Sequence, residues 1–234
     1  MSPTWLGRRK PEAPSDEGCR PDISEDRAER ELCLVWRIAA LLLDYPTQQT
    51  LDMLEELHAG AESLPAPAGP MLVSFVHHMR HTPPMELAAH YVETFDLRRR
   101  NCLHLTYYAF GDTRKRGMAL LRFKHAYRSA GVTLGEHELP DHLAVVLEFA
   151  ATVDPPAGRR LLVEHRPVME LLRLSLRECG SPYLAVLDAV CATLPELGTA
   201  DRRRIAELAA QGPPDEEVGL EPFAMDPTMM GGRR

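Results

Sequence analysis

Residues 136–142 read Glu136-His137-Glu138-Leu139-Pro140-Asp141-His142, three acids and two imidazoles within seven positions. Such groups can exchange protons, hold a cation, or accept hydrogen bonds from the unpaired amides at the start of a helix, which Pro140 would open. Spacing alone favours the last, plain helix capping. His77 and His81 stand one helical turn apart, a spacing that suits a metal, but no H-E-x-x-H surrounds them and a third ligand is missing. A polar helix face is the preferred reading. Asp141-His142 has the wrong order for an HD-type phosphohydrolase. There is also no G-x-x-x-x-G-K-[ST], no G-x-G-x-x-G and no G-x-S-x-G. The expectation is a protein that is not an enzyme; a metal-dependent hydrolase, one competing class, would carry stoichiometric metal.

The stretch from Tyr91 to Ala130 concentrates aromatic residues and positive charge. Tyr91 and Phe95 are four residues apart and meet on one helix face. Between Arg98 and Arg128, nine Arg and Lys face one acid, Asp112, so the net charge of −7 divides into +8 here and −15 elsewhere. Arg98, Arg99, Arg100, Arg114, Lys115 and Arg116 form two bursts around a largely apolar piece with Tyr107, Tyr108 and Phe110. With the tyrosines as stacking platforms, this block could grip nucleic acid, and a helical nucleic-acid-binding regulator is the alternative function. The acidity of the rest opposes it, because phosphate attraction is long-ranged. A solvated face with ion pairs to Glu93, Asp96 or Asp112 is the plainer reading. For Tyr91, Phe95, Tyr107 and Phe123, core packing and a binding role stand level.

Helical periodicity must position these residues. Asp22 with Glu25 forms a capping-box-like start, and Leu32, Val35, Trp36, Ala39, Leu42 and Leu43 mark a helix that stops before Pro46. Thr47 caps a second, ending near Gly60. Five prolines between Pro65 and Pro84 flank a short helix from Met71 to His81 and make 65–84 a candidate hinge. Pro83 opens the helix of Tyr91 and Phe95. Gly111 closes one helix and Asp112 caps the next, whose buried stripe is Leu120, Phe123, Tyr127 and Ala130. After a loop over 132–139, a helix from Pro140 buries Leu143, Val146, Leu147 and Ala150. Another starts at Pro155 and bends at Pro167, and two more cover Pro182 to Leu194 and Asp201 to Gln211. No alternating strand is visible. The expectation is an all-α single domain of about eight to ten helices over 22–211, between a disordered arm, 1–21, and a flexible tail, 212–234.

With 234 residues the chain can bury a sizeable core. Cys19, Cys33, Cys102, Cys179 and Cys191 form no C-x-x-C and read as reduced thiols of a cytoplasmic protein. No apolar run approaches the roughly 18–20 residues of a membrane span, and Arg8-Arg9 is not followed by the apolar region of an export signal.

Glu138-Leu139-Pro140-Asp141-His142 resembles the E-x-P-D-H hallmark of the TorD-like maturation chaperones for molybdenum enzymes, and Tyr91-x-x-x-Phe95 resembles their other signature. LRRRNCLHLTYYAFGDTRKRGMALLRFK followed by LPDHLAVVLEF is similar to the NarJ branch, the assembly chaperones of respiratory nitrate reductase. The resemblance is close from Tyr91 to about Ala150 and compatible from Leu32 to roughly Leu197. It implies a cytoplasmic chaperone that binds the N-terminal segment of the catalytic subunit, a short, basic, amphipathic remnant of a twin-arginine signal. That binding keeps the subunit competent for molybdenum cofactor insertion before membrane docking. The chaperone would hold no cofactor stably and would meet molybdenum cofactor delivery proteins as further partners. Helix-in-groove recognition then assigns Tyr91, Phe95 and Tyr107 to an apolar floor and Glu93, Asp96, Glu138 and Asp141 to its negative charge, with His142 titrating beside them. Glu93 and Asp96 are physical additions; the hallmark covers Tyr91, Phe95, Glu138, Pro140, Asp141 and His142. The Arg98–Arg100 and Arg114–Arg116 bursts would form a second partner face.

Overall fold

A computed structural model describes residues 6–8, 23–111, 113–135 and 138–212. The expectations for the rest of the N-terminal arm, for Asp112 as a cap, for Glu136 and His137, and for the tail beyond Gly212 lie outside these residues.

The chain is all-α, with twelve α-helical segments among the described residues. They are α1 (Ile23–Leu42), α2 (Gln48–Asp52), α3 (Leu54–Glu62), α4 (Ala68–His81), α5 (Pro84–Tyr91), α6 (Tyr107–Phe110), α7 (Arg114–Ser129), α8 (Leu143–Thr152), α9 (Pro155–Glu164), α10 (Arg166–Glu178), α11 (Tyr183–Ala192) and α12 (Thr199–Gln211). The number exceeds eight to ten because breaks at Met53 and His165 split two expected helices and Tyr107–Phe110 forms a single turn of its own. Pro167 therefore sits in the first turn of α10, where its missing amide costs nothing, and does not bend a longer helix. The proline-flanked piece begins at Ala68 and runs unbroken to His81, packed on α3 and α11.

Two short strands correct the expectation of none. β1 (Leu6–Arg8) pairs antiparallel with β2 (Val132–Leu134), Gly7 opposite Thr133. Three residues are too few to display alternation, so neither strand is visible in the pattern.

α1 and α8 form the centre. Trp36 is fully buried and its indole N–H donates to the Thr193 hydroxyl at 2.9 Å. Every residue from Leu143 to Ala150 is buried, not only the expected face, because α8 is covered by α1 on one side and α9 on another. Glu148 on α8 is buried with them and paired with Arg37 of α1, as burial of a carboxylate requires. α9 crosses α8 at Gly158, where a Cβ would stand 2.3 Å from the Ala150 Cα.

Candidate functional site

Residues 103–106 run antiparallel to residues 141–143. The Leu105 amide donates to the Asp141 carbonyl at 3.0 Å, the Leu143 amide donates to the Leu103 carbonyl at 2.9 Å, and His104 lies opposite His142. On this short ladder the buried Asp141 carboxylate accepts from the Thr106 amide at 3.1 Å and the Thr106 hydroxyl at 2.5 Å. His104 Nδ1 is 3.3 Å away, and the Arg116 guanidinium 3.8 Å. Burial alone would push the carboxyl up, but the bonds from His104 and Thr106 and the His104 charge hold it at about 2. Asp141 is thus an ionised anchor that ties α8 to the loop before α6.

That is not the helix cap expected of it. α8 begins at Leu143 with His142 in the capping position, and Asp141 turns back to Thr106. Pro140 stands outside the helix, its carbonyl accepting from the buried Tyr127 hydroxyl at 2.7 Å. His142 packs against the His104 ring at 5.1 Å. Burial, then the His104 charge, push its pKa down to about 4 against the pull of Asp141, so it is neutral where it was expected to titrate.

Tyr91 and Phe95 are buried in an aromatic cluster with rings 5.0 Å apart. Phe95 lies 4.7 Å from the Tyr183 ring, and Tyr45 stacks edge-on to Tyr91 at 5.5 Å. The Tyr91 hydroxyl donates to the Leu43 carbonyl at 3.3 Å. After Tyr91 the helix widens into a π turn, Val92–Asp96, closed by the Leu97 amide on the Val92 carbonyl at 3.0 Å. Such widened turns re-aim side chains and recur at functional sites.

Two carboxylates, Asp44 and Asp96, act on the Tyr91 ring of this cluster, and a third, Glu138, acts on Asp44. Burial and the charges of Asp44, Tyr183, Asp96 and Cys102 push the Tyr91 phenol up, which places Asp44 and Asp96 in the field of its ring. Asp44 itself is pushed up by burial, offset by the Tyr45 amide, with Glu138 adding its repulsion. Beside these acids stand outward apolar side chains: Tyr45 is 43% exposed, Leu97 73% and Leu139 41%. Asp96 is exposed, while Asp44 and Glu138 are half-buried, and Glu138 also lines a depression with Lys124 and Arg128.

A family model described as nitrate reductase delta subunit matches residues 61–189. The chain belongs to this family. It is 46% identical over 165 residues to the nitrate reductase-like protein NarX of Mycobacterium tuberculosis, covering 70% of this chain but 25% of NarX. To the nitrate reductase molybdenum cofactor assembly chaperone NarJ of Escherichia coli it is 30% identical over 194 residues, 81% of this chain and 79% of the relative. To the probable chaperone of the same name in Bacillus subtilis it is 34% identical over 118 residues, 50% of this chain and 64% of that one. The last two are named as assembly chaperones, not as enzymes.

The other expected residues are spread more widely. Glu93 is exposed and acts on His90 of α5. Tyr107 is half-buried under the Arg116 guanidinium, 5.5 Å from its ring centre. Arg98, Arg99 and Arg100 line a depression of about 390 Å³ against Ser175, Glu178 and Cys179 near the end of α10. Arg114 and Lys115 are exposed on α7, while Arg116 turns inward to Thr106 and Asp141. The six cations thus do not line a common depression. His77 and His81 stack at 4.1 Å, and among the described residues no group of three His, Cys, Asp or Glu could hold a metal. Nor is any described helix long and apolar enough to cross a membrane.

Asp44, Tyr45, His104, Thr106 and Tyr183 belong to the site and were missed. Asp44 did leave a signal: an acid just past the C-terminal end of a helix runs against the helix dipole. For Thr106 and Tyr183 nothing in the local sequence marks a role.

Proposed function

We propose that this protein is a cytoplasmic chaperone that binds the N-terminal segment of the respiratory nitrate reductase catalytic subunit and keeps it open to molybdenum cofactor insertion before it docks at the membrane. The observation that carries this reading is that Asp44 and Asp96 both act on the Tyr91 ring, that Glu138 acts on Asp44, and that each acid is followed in the chain by an outward apolar residue, Tyr45, Leu97 or Leu139. A short basic amphipathic helix finds both its partners there, apolar anchors for the exposed side chains and cations for the acids. Family membership and the names of the NarJ relatives support the client class.

In this reading Glu93, Asp96 and Glu138, joined by Asp44, meet the client segment directly. Tyr91, Phe95, Asp141 and His142 act from beneath, holding the π turn and the start of α8 in register, and Tyr107 with Arg116 buttresses the same loop. Arg98–Arg100, Arg114 and Lys115 meet the folded body of the client or a cofactor delivery protein.

Co-expression with the tagged catalytic subunit tests this. Glu138→Lys is expected to reduce captured chaperone about tenfold, ~1.4 kcal/mol, while leaving its helical signal intact. Undiminished capture by the folded variant would remove Glu138 from the contact.

A further inference from the structure

Helix α7 leaves apolar surface uncovered. Met118 is 65% exposed and Leu121 50%. They stand over two adjoining depressions of about 440 and 520 Å³, which share Met118, Arg122 and Glu164 and separate α7 from α9, the start of α10, and α12. The floor includes Leu105, Phe110, Leu161 and Val168. The rim carries four cations, Lys115, Arg122, Arg160 and Arg204, the last paired with Glu207 of its own helix at 3.4 Å. Glu164 is the acid among the lining residues, and it is paired with Arg122 at 2.5 Å. With Arg122 and Arg204 paired, Lys115 and Arg160 leave the rim net positive, which suits an occupant that is apolar and acidic.

The chain carries one such segment. Asp215-Glu216-Glu217-Val218-Gly219-Leu220-Glu221-Pro222-Phe223-Ala224-Met225-Asp226 holds five acids, no Lys or Arg, and Val218, Leu220, Phe223 and Met225 as apolar anchors. In the sequence it follows α12 after Gly212-Pro213-Pro214, and Arg204 and Leu208 of α12 line the groove. The chain from Gly212 to Phe223 spans up to about 36 Å when extended, by ~3.3 Å per residue. Seven helical residues, such as Met118 to Lys124, occupy only about 10 Å. Reach is not limiting.

We propose that segment 215–226 docks in the groove of its own molecule. Its carboxylates lie along Lys115, Arg122, Arg160 and Arg204, and Phe223 and Met225 cover Met118 and Leu121. The segment shields an apolar face that would otherwise draw together copies of the chain. This docking uses none of the acids Asp44, Asp96 and Glu138, and it shares Lys115 alone with the cations assigned above to a second partner.

Zero-length carbodiimide coupling of the full chain tests it, because the chain has three lysines, Lys10, Lys115 and Lys124, and only Lys115 lines the groove. An equal mixture of ¹⁴N and ¹⁵N protein is coupled, digested and read by mass spectrometry. The expected product is an amide between Lys115 and one of Asp215, Glu216, Glu217 or Glu221 within one isotopic copy, lost in 1 M salt. No link at Lys115, or links only between isotopically different copies, would overturn intramolecular docking. Peroxide footprinting gives a second readout: Met118 should oxidise about threefold faster in Phe223→Asp than in the wild type. Equal rates in the two folded proteins would also overturn it.

Discussion

Asp141 is buried, ionised and satisfied by a partner 35 residues earlier, so it acts as a cross-link between two loops. With a folded pKa of about 2 against 3.8 for the free group, Asp141 contributes about 2 kcal/mol of stability. Asp141→Asn is expected to lose about that much in urea unfolding at pH 7. Because the folded pKa is depressed, the contribution is complete above the unfolded value and disappears as pH falls from 3.8 towards about 2. His142 adds a second window. Its folded pKa of about 4 lies below 6.5, so the unfolded chain binds the extra proton between these values, and stability declines as pH falls through them. His142→Gln should flatten the stability profile between pH 6.5 and 4 while leaving the lower window, and an unchanged slope would contradict the assignment. The cluster of acids and histidines at 136–142 was legible as chemistry. Which way Asp141 faces was not, since its partner, Thr106, has no marking of its own and the pairing is made by tertiary structure.

At the scale of elements, helical periodicity found nearly every helix and the buried stripe of α7, where Phe123 and Tyr127 are buried as expected. It missed the break at Met53, and it read the one at His165 as a bend at Pro167, a proline that instead opens α10. The π turn at Val92–Asp96 was equally invisible, because Tyr91 and Phe95 satisfy an ordinary i,i+4 reading. Both rings are buried beside Tyr183, so the packing role is the one the structure shows, and the exposed charge next to them is that of Asp96. Gly158 is another element-scale determinant. Gly158→Ala would press a methyl into the Ala150 backbone at 2.3 Å and force α8 and α9 apart. A loss of about 2–3 kcal/mol in chemical denaturation is expected, and a neutral substitution would show that the crossing is looser than the structure gives.

Over the whole molecule, the charge division read from sequence does not resolve into two faces: of the nine cations between Arg98 and Arg128, Lys115 and Arg122 line the groove beside α7, Arg98, Arg99 and Arg100 line another depression, and Lys124 and Arg128 share a third with Glu138. Asp44, Asp96 and Glu138, each next in the chain to an exposed apolar residue, form the proposed client surface, and Lys115, Arg122, Arg160 and Arg204 rim an apolar groove elsewhere. The sum was legible because it needs only composition. The proposed client surface was not, because Asp44 and Glu138 are far apart in the chain and meet only when α1 and the loop before α8 come together. Binding of a basic client segment to that surface should weaken with salt, as partly exposed ion pairs are screened within ~10 Å at 0.1 M ionic strength. The most direct measurement is calorimetric titration of the protein with a peptide matching the N-terminus of the nitrate reductase catalytic subunit of the same genome, beside a scrambled peptide. The expected result is saturable one-to-one binding of the native peptide alone, weakened about tenfold by Glu138→Lys, ~1.4 kcal/mol. Equal binding of both peptides, or binding of the native one that neither Glu138→Lys nor Asp96→Lys alters, would contradict recognition at this face.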